Sequence, residues 1–189
     1  MPNPQSPVRT RSEPAVLLRT FLASMVANLP MLGLLLIPQL MRSRAGSETL
    51  LLVGSTLYLV LIAVALFTTP RLSAWVAPLG DSWSPGTASA TVGALRRTRP
   101  LAFWQRVGEW LVVFVAGQAV GYLLAAVLPP VEDNPRFGLE GESRWLLDYG
   151  RYALQAVTIY LFSCLSFAWL GTRLRTMTEG LSPHSDSRR

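Results

Sequence analysis

Two residue types that carry much of protein chemistry are almost missing from this chain. Its 189 residues hold one cysteine, Cys164, and one histidine, His184. A disulfide within the chain, a bis-histidine haem and a structural zinc site of about four Cys/His ligands are therefore excluded by arithmetic. A Ser-His-Asp constellation would need His184 ordered in a pocket, yet it sits in a polar segment near the C-terminus. Lysine is absent, all 17 basic residues being arginine. Charge is also scarce: 15% of the residues are charged, against about 25% in soluble proteins, while half are apolar. No Walker, Rossmann or HExxH pattern occurs, and no cofactor is implied.

The scarcity is uneven, and its distribution defines the fold class. Four uncharged runs cover residues 20–41, 49–69, 110–128 and 152–170. Each is near the roughly 20 residues that cross about 30 Å of hydrocarbon at 1.5 Å per residue. The sequence thus predicts an all-α polytopic membrane protein, a four-helix transmembrane bundle over residues 15–175. Polar tails at 1–14 and 176–189 are expected to be disordered. Arg9, Arg11 and Arg19 precede the first run as in a signal peptide. That run exceeds the usual 7–15 residues and no small-x-small site follows it, so retention is expected.

Proline marks the weak points. Asn28, Pro30 and Pro38 interrupt the first run, and Pro30 removes a backbone donor, which predicts a kink. Residues 70–108, with four prolines and five arginines, are read as a connection. Within it Leu72, Trp75, Val76 and Leu79 share a helical face beside Arg71, predicting a short interfacial helix. The polar segment after Gly171 is expected to fray.

Basic loops stay on the cytoplasmic face. With the N-terminus inside, twelve arginines fall on that side and five outside. Both termini are therefore expected in the cytoplasm of a cell inner membrane. The net charge of +6 has the same origin, and no nucleic-acid-binding motif accompanies it. Arg96, Arg97, Arg99 and Arg106, interleaved with Phe103 and Trp104, suit contact with anionic lipid.

Few residues suggest a site. Gly117, Gly121 and Ala125 recur every four residues, a small-residue face for helix packing within the bundle or for a partner protein or second copy. Asn28, Gln118 and Gln155, with Thr158, Ser163 and Ser166, are the polar groups inside the runs. They would form either interhelical hydrogen bonds or a narrow polar path. Glu132, Asp133, Glu140 and Glu142 form the carboxylate cluster, with a spacing that fits no calcium loop. The expected function is a non-enzymatic accessory, scaffold or assembly subunit of an inner-membrane complex. A small oligomeric transporter or channel component is the first alternative, and a membrane enzyme acting on lipid is the second.

Overall fold

Proline and the residues around it decide where the helices of this chain break and where they continue. The computed structural model describes residues 13–41, 48–127 and 149–179. Of these residues 89% are helical and none lies in a strand. The first run is split three ways: α1 (Glu13–Ala27), α2 (Leu29–Leu35) and α3 (Pro38–Met41). Pro30 occupies the first turn of α2, where its missing N–H costs little. Its ring cannot continue the preceding helix, and the axes of α1 and α2 differ by 58°. Pro38 opens α3 in the same way.

The second run behaves differently. Helix α4 (Glu48–Val76) passes straight through Pro70. A proline in a helix interior cannot donate to the carbonyl four residues before it, here that of Leu66; the hydroxyls nearby bond the two carbonyls that precede Leu66. Thr68 Oγ1 donates to the Val64 and Ala65 carbonyls at 2.9 and 3.2 Å, and Thr69 Oγ1 donates to Ala65 at 2.7 Å. This corrects the expected interfacial helix: Leu72, Trp75 and Val76 are the last turns of α4, and Leu79 lies beyond its end.

The connection from Ala77 to Thr87 is a folded turn. Leu79 and Trp83 exchange two backbone hydrogen bonds, at 3.1 and 3.2 Å, around Gly80, whose φ of 51° belongs to the region glycine tolerates. The turn delivers Trp83 into the interior, where it is fully buried. Helix α5 (Ala88–Thr98) follows and inserts Ala88 and Leu95 into the core. Helix α6 (Pro100–Val127) begins at Pro100, ten residues before the expected start of the third span.

The fourth span also exceeds its expected length, as α7 (Tyr149–Glu179). Where fraying was expected after Gly171, and a disordered tail from 176, the helix continues to Glu179. Thr172, Leu174, Arg175 and Thr178 are buried there. Arg175 stays in the interior because its Nε donates to the Ala77 carbonyl at 3.2 Å, the kind of bond a buried charge requires.

Helix α7 is the hub, packing against α1, α2, α4, α5 and α6. Helix α6 rests on α7 and α5, with no substantial packing on α1 or α4 among the described residues. At one end Glu13 of α1 pairs with Arg173 of α7 at 3.8 Å, and Gly171 packs on Ser73 of α4. At the other end Tyr149 and Tyr152 of α7 reach Leu36 and Leu35. The α1–α2 pair therefore tracks α7 from end to end as one broken crossing; a re-entrant loop would turn back halfway. Helices α4, α6 and α7 are each long and apolar enough to cross a membrane, and counting the bent pair as one span brings the number among the described residues to four.

Candidate functional site

A helix break inside lipid exposes carbonyls that water cannot reach, so the protein must supply their partners. Helix α7 supplies them with tyrosines. The Tyr160 hydroxyl donates to the Met25 carbonyl, just before the first break. Tyr152 donates to Leu35 and Tyr149 to Leu36, the latter at 3.0 Å, at the end of α2. These bonds cross more than 110 positions of sequence.

Asn28 stands at the break itself. Its amide turns back to donate to the Ser24 carbonyl and hydroxyl, at 2.9 and 3.0 Å, and makes no side-chain cap to α2. The Ser24 carbonyl also receives the buried Cys164 thiol at 3.7 Å. Ser24, Asn28, Tyr160 and Cys164 thus form a polar knot between α1 and α7. Cys164 takes part as a small packing group and weak donor.

Gln118 of α6 donates to Ser163 Oγ at 3.2 Å, and Ser163 donates in turn to the Ile159 carbonyl at 2.8 Å. The buried Tyr58 hydroxyl of α4 lies beside both Gln118 and Ser163 without a hydrogen bond to either. Ser163 and Cys164 are neighbours in sequence, so they point about 100° apart on α7. Asn28 and Gln118 consequently share a height but sit on different faces of the hub. Gln155, half-buried on α7, is eight residues from Ser163, about 12 Å along the axis. The three residues of the candidate polar path are spread around and along α7. Thr158 bonds to the Leu154 carbonyl and Ser166 to the Ser163 carbonyl.

The small-residue face of α6 is turned towards α7. A Cβ on Gly117 would stand 2.3 Å from the Phe162 Cβ, and one on Gly121 would stand 2.4 Å from the Ile159 Cγ1. Both glycines therefore serve close approach of α6 to α7. Ala125 lies further along α6, within its last turn.

At the α5 end, Arg96, Arg97 and Arg99 are exposed. Arg106 differs from them: it is paired with Glu109, one turn along α6. Arg173 stacks over the Trp169 ring, its guanidinium carbon 4.5 Å from the centroid. Among the described residues no group of three or more His, Cys, Asp or Glu side chains is placed to hold a metal ion. The Glu132, Asp133, Glu140 and Glu142 cluster and His184 lie outside the described residues, as does most of each terminal tail.

The fold is that of an all-α bundle whose main helices are long and apolar enough for a membrane. The chain matches no protein-family model, and no curated protein or solved structure is significantly similar to it. The tyrosine clamps were missed by sequence reasoning, because Tyr149, Tyr152 and Tyr160 lie more than 110 positions from the breaks they serve.

Proposed function

We propose that this chain is a non-catalytic subunit of a membrane complex, an accessory or scaffold protein that presents its α6 face to a partner. The supporting observation is how its intramembrane polar groups are used. Asn28 is spent on Ser24, Gln118 on Ser163, and three tyrosines on backbone carbonyls. Groups already bonded within the protein cannot solvate a passing substrate without breaking those bonds. By contrast, among the described residues α7 is the one crossing on which α6 packs substantially, and Leu111, Val112, Val115 and Leu123 point outwards from it.

The arginine distribution supports an inner-membrane placement, with residues 77–99 and both ends of the described chain in the cytoplasm. Photo-crosslinking from Val112, Val115 and Leu123 in native membranes tests the reading. Adducts to one protein at a fixed ratio are expected. Adducts to lipid alone, with the purified chain running as a homo-oligomer, would overturn it.

A second reading, a small oligomeric transporter or channel component, draws on the broken first crossing. Discontinuous helices commonly form substrate sites near the bilayer midplane. Solute flux in proteoliposomes that disappears in Asn28→Leu would favour this second reading. The lipid-enzyme alternative rests on Glu132 and Asp133, for which loss of turnover in alanine variants is the test.

A further inference from the structure

The heights of the aromatic residues along α7 locate the bilayer, and an exposed cationic corner lies just beyond it. Gly171 of α7 packs on Ser73 of α4. Trp75 lies two residues beyond Ser73 and stands about 3 Å outward of that contact at 1.5 Å per residue. On α6, Trp110 stacks on Phe167 with ring centroids 6.0 Å apart. Phe167 is about 6 Å inward of Gly171, and Trp104 is about 9 Å outward of Trp110. Trp104 therefore also stands about 3 Å outward of the Gly171 level. The two indoles, 71% and 57% exposed, sit at one height on different helices.

The opposite end carries a matching mark. Tyr149, half-exposed, begins α7 and lies 22 residues from Gly171, about 33 Å away. The Trp75–Trp104 level and Tyr149 thus stand about 36 Å apart, with the exposed Phe67 and Tyr122 between them. That separation falls between the ~30 Å hydrocarbon core and the ~40–45 Å bilayer including headgroups. Aromatic side chains gather at such interfaces because one part of the ring is apolar and another polar.

Pro100, the first residue of α6, lies four residues and about 6 Å outward of Trp104, so the Arg99 corner and the last turn of α5 adjoin the level where phosphates would be. Arg96 and Arg97 occupy the last turn of α5, and Arg99 forms the corner into α6. All three are exposed, and the strongly exposed Leu101 follows immediately. Arg71, exposed on α4, bonds Ser89 at the opposite, N-terminal end of α5 at 3.0 Å and ties that helix to α4. Arg106 is spent on Glu109 and is not part of the surface.

We propose that the α5–α6 corner is a docking surface for anionic lipid headgroups. Arg96, Arg97 and Arg99 hold the phosphates while Trp75, Leu101 and Trp104 enter the leaflet beneath. Charge complementarity selects an anionic partner, and the two exposed indoles at one shared height select a bilayer over a soluble acidic protein. Guanidinium suits this role because its donors match phosphate oxygens in pairs.

The test uses the purified full chain in neutral detergent with phosphatidylglycerol or phosphatidylcholine added at equal amounts. Retained lipid is counted by native mass spectrometry. A preference on the order of a hundredfold for phosphatidylglycerol is expected, falling about fivefold with each Arg→Gln at 96, 97 and 99. It should weaken at high salt. A triple Arg→Lys variant should keep most of the preference, separating charge from folding. Retention of the full preference by the triple Gln variant would overturn the proposal. So would competition by millimolar inorganic phosphate, which marks a free-anion site, or by soluble polyglutamate, which marks an acidic protein partner.

Discussion

Replacing Gly117 by alanine tests the central packing of the bundle, because a second glycine on the same helix supplies the opposite expectation. The new Cβ would stand 2.3 Å from the Phe162 Cβ, with the Phe162 ring carbon Cγ at 2.9 Å. Since ordinary contact begins near 3.4 Å, α6 must retreat from α7 by about 1 Å. Phe162 cannot rotate away, since the clash is with its Cβ. A gap of that size forfeits a quarter to a half of each neighbouring dispersion contact. Those contacts include Gly121 on Ile159 and the Trp110–Phe167 stack. Overpacking of this kind costs about 1–3 kcal/mol. Gly108 lies on the same helix, but a Cβ there meets nothing within 4 Å. Gly108→Ala should instead stabilise by about 0.5 kcal/mol, because alanine loses less backbone entropy in a helix. Both variants are compared by titrating the detergent-solubilised chain with a denaturing detergent, following tryptophan fluorescence and circular dichroism. Shifts of the same sign for the two variants would refute the steric account of the α6–α7 interface.

Gly54→Ala should be harsher still, because its Cβ would stand 2.0 Å from the backbone oxygen of Leu40. Either α3 leaves its seat on α4 or the chain fails to accumulate, as a membrane immunoblot would report. Tyr152→Phe strands a buried carbonyl and Tyr160→Phe a part-buried one, and each should cost about 1–3 kcal/mol, the former more. The same unfolding titration would show no change if the clamps contributed nothing. Trp83→Ala removes a fully buried indole from the α4–α5 turn and should cost about 3–5 kcal/mol. Near-native stability would mean that the turn is not part of the core. Cys164 should resist maleimide in the folded protein and react on unfolding, because it is buried against Ser24.

The crossings were legible because excluding charge from about 20 consecutive residues is a local property that lipid imposes directly. Their ends were less legible. Pro70 marks a helix end on local grounds, yet α4 continues past it to Val76, its last turns seated on α7 with Ser73 against Gly171. The polar segment after Gly171 resembles a tail until the folded turn at Ala77 provides a carbonyl for Arg175. For the candidate sites, spacing identified Gly117 and Gly121 as a packing surface but could not name Phe162 and Ile159 as the groups they meet. The same holds for the break in the first crossing. Asn28, Pro30 and Pro38 announced it, whereas the tyrosines that repair it lie more than 110 positions away. No periodicity links residues so far apart.

That distance has a consequence for how the protein is made. Helix α7, which repairs the first crossing and seats all the larger helices, follows them in the chain. At roughly 5–20 residues per second, the ribosome needs on the order of ten seconds to travel from the end of α2 to the tyrosines of α7. Throughout that interval the Met25, Leu35 and Leu36 carbonyls lack the hydroxyls that later satisfy them. The nascent first crossing must therefore wait in a place that offers it water or protein, such as the lateral gate of the insertion machinery, and can move fully into lipid only when α7 arrives.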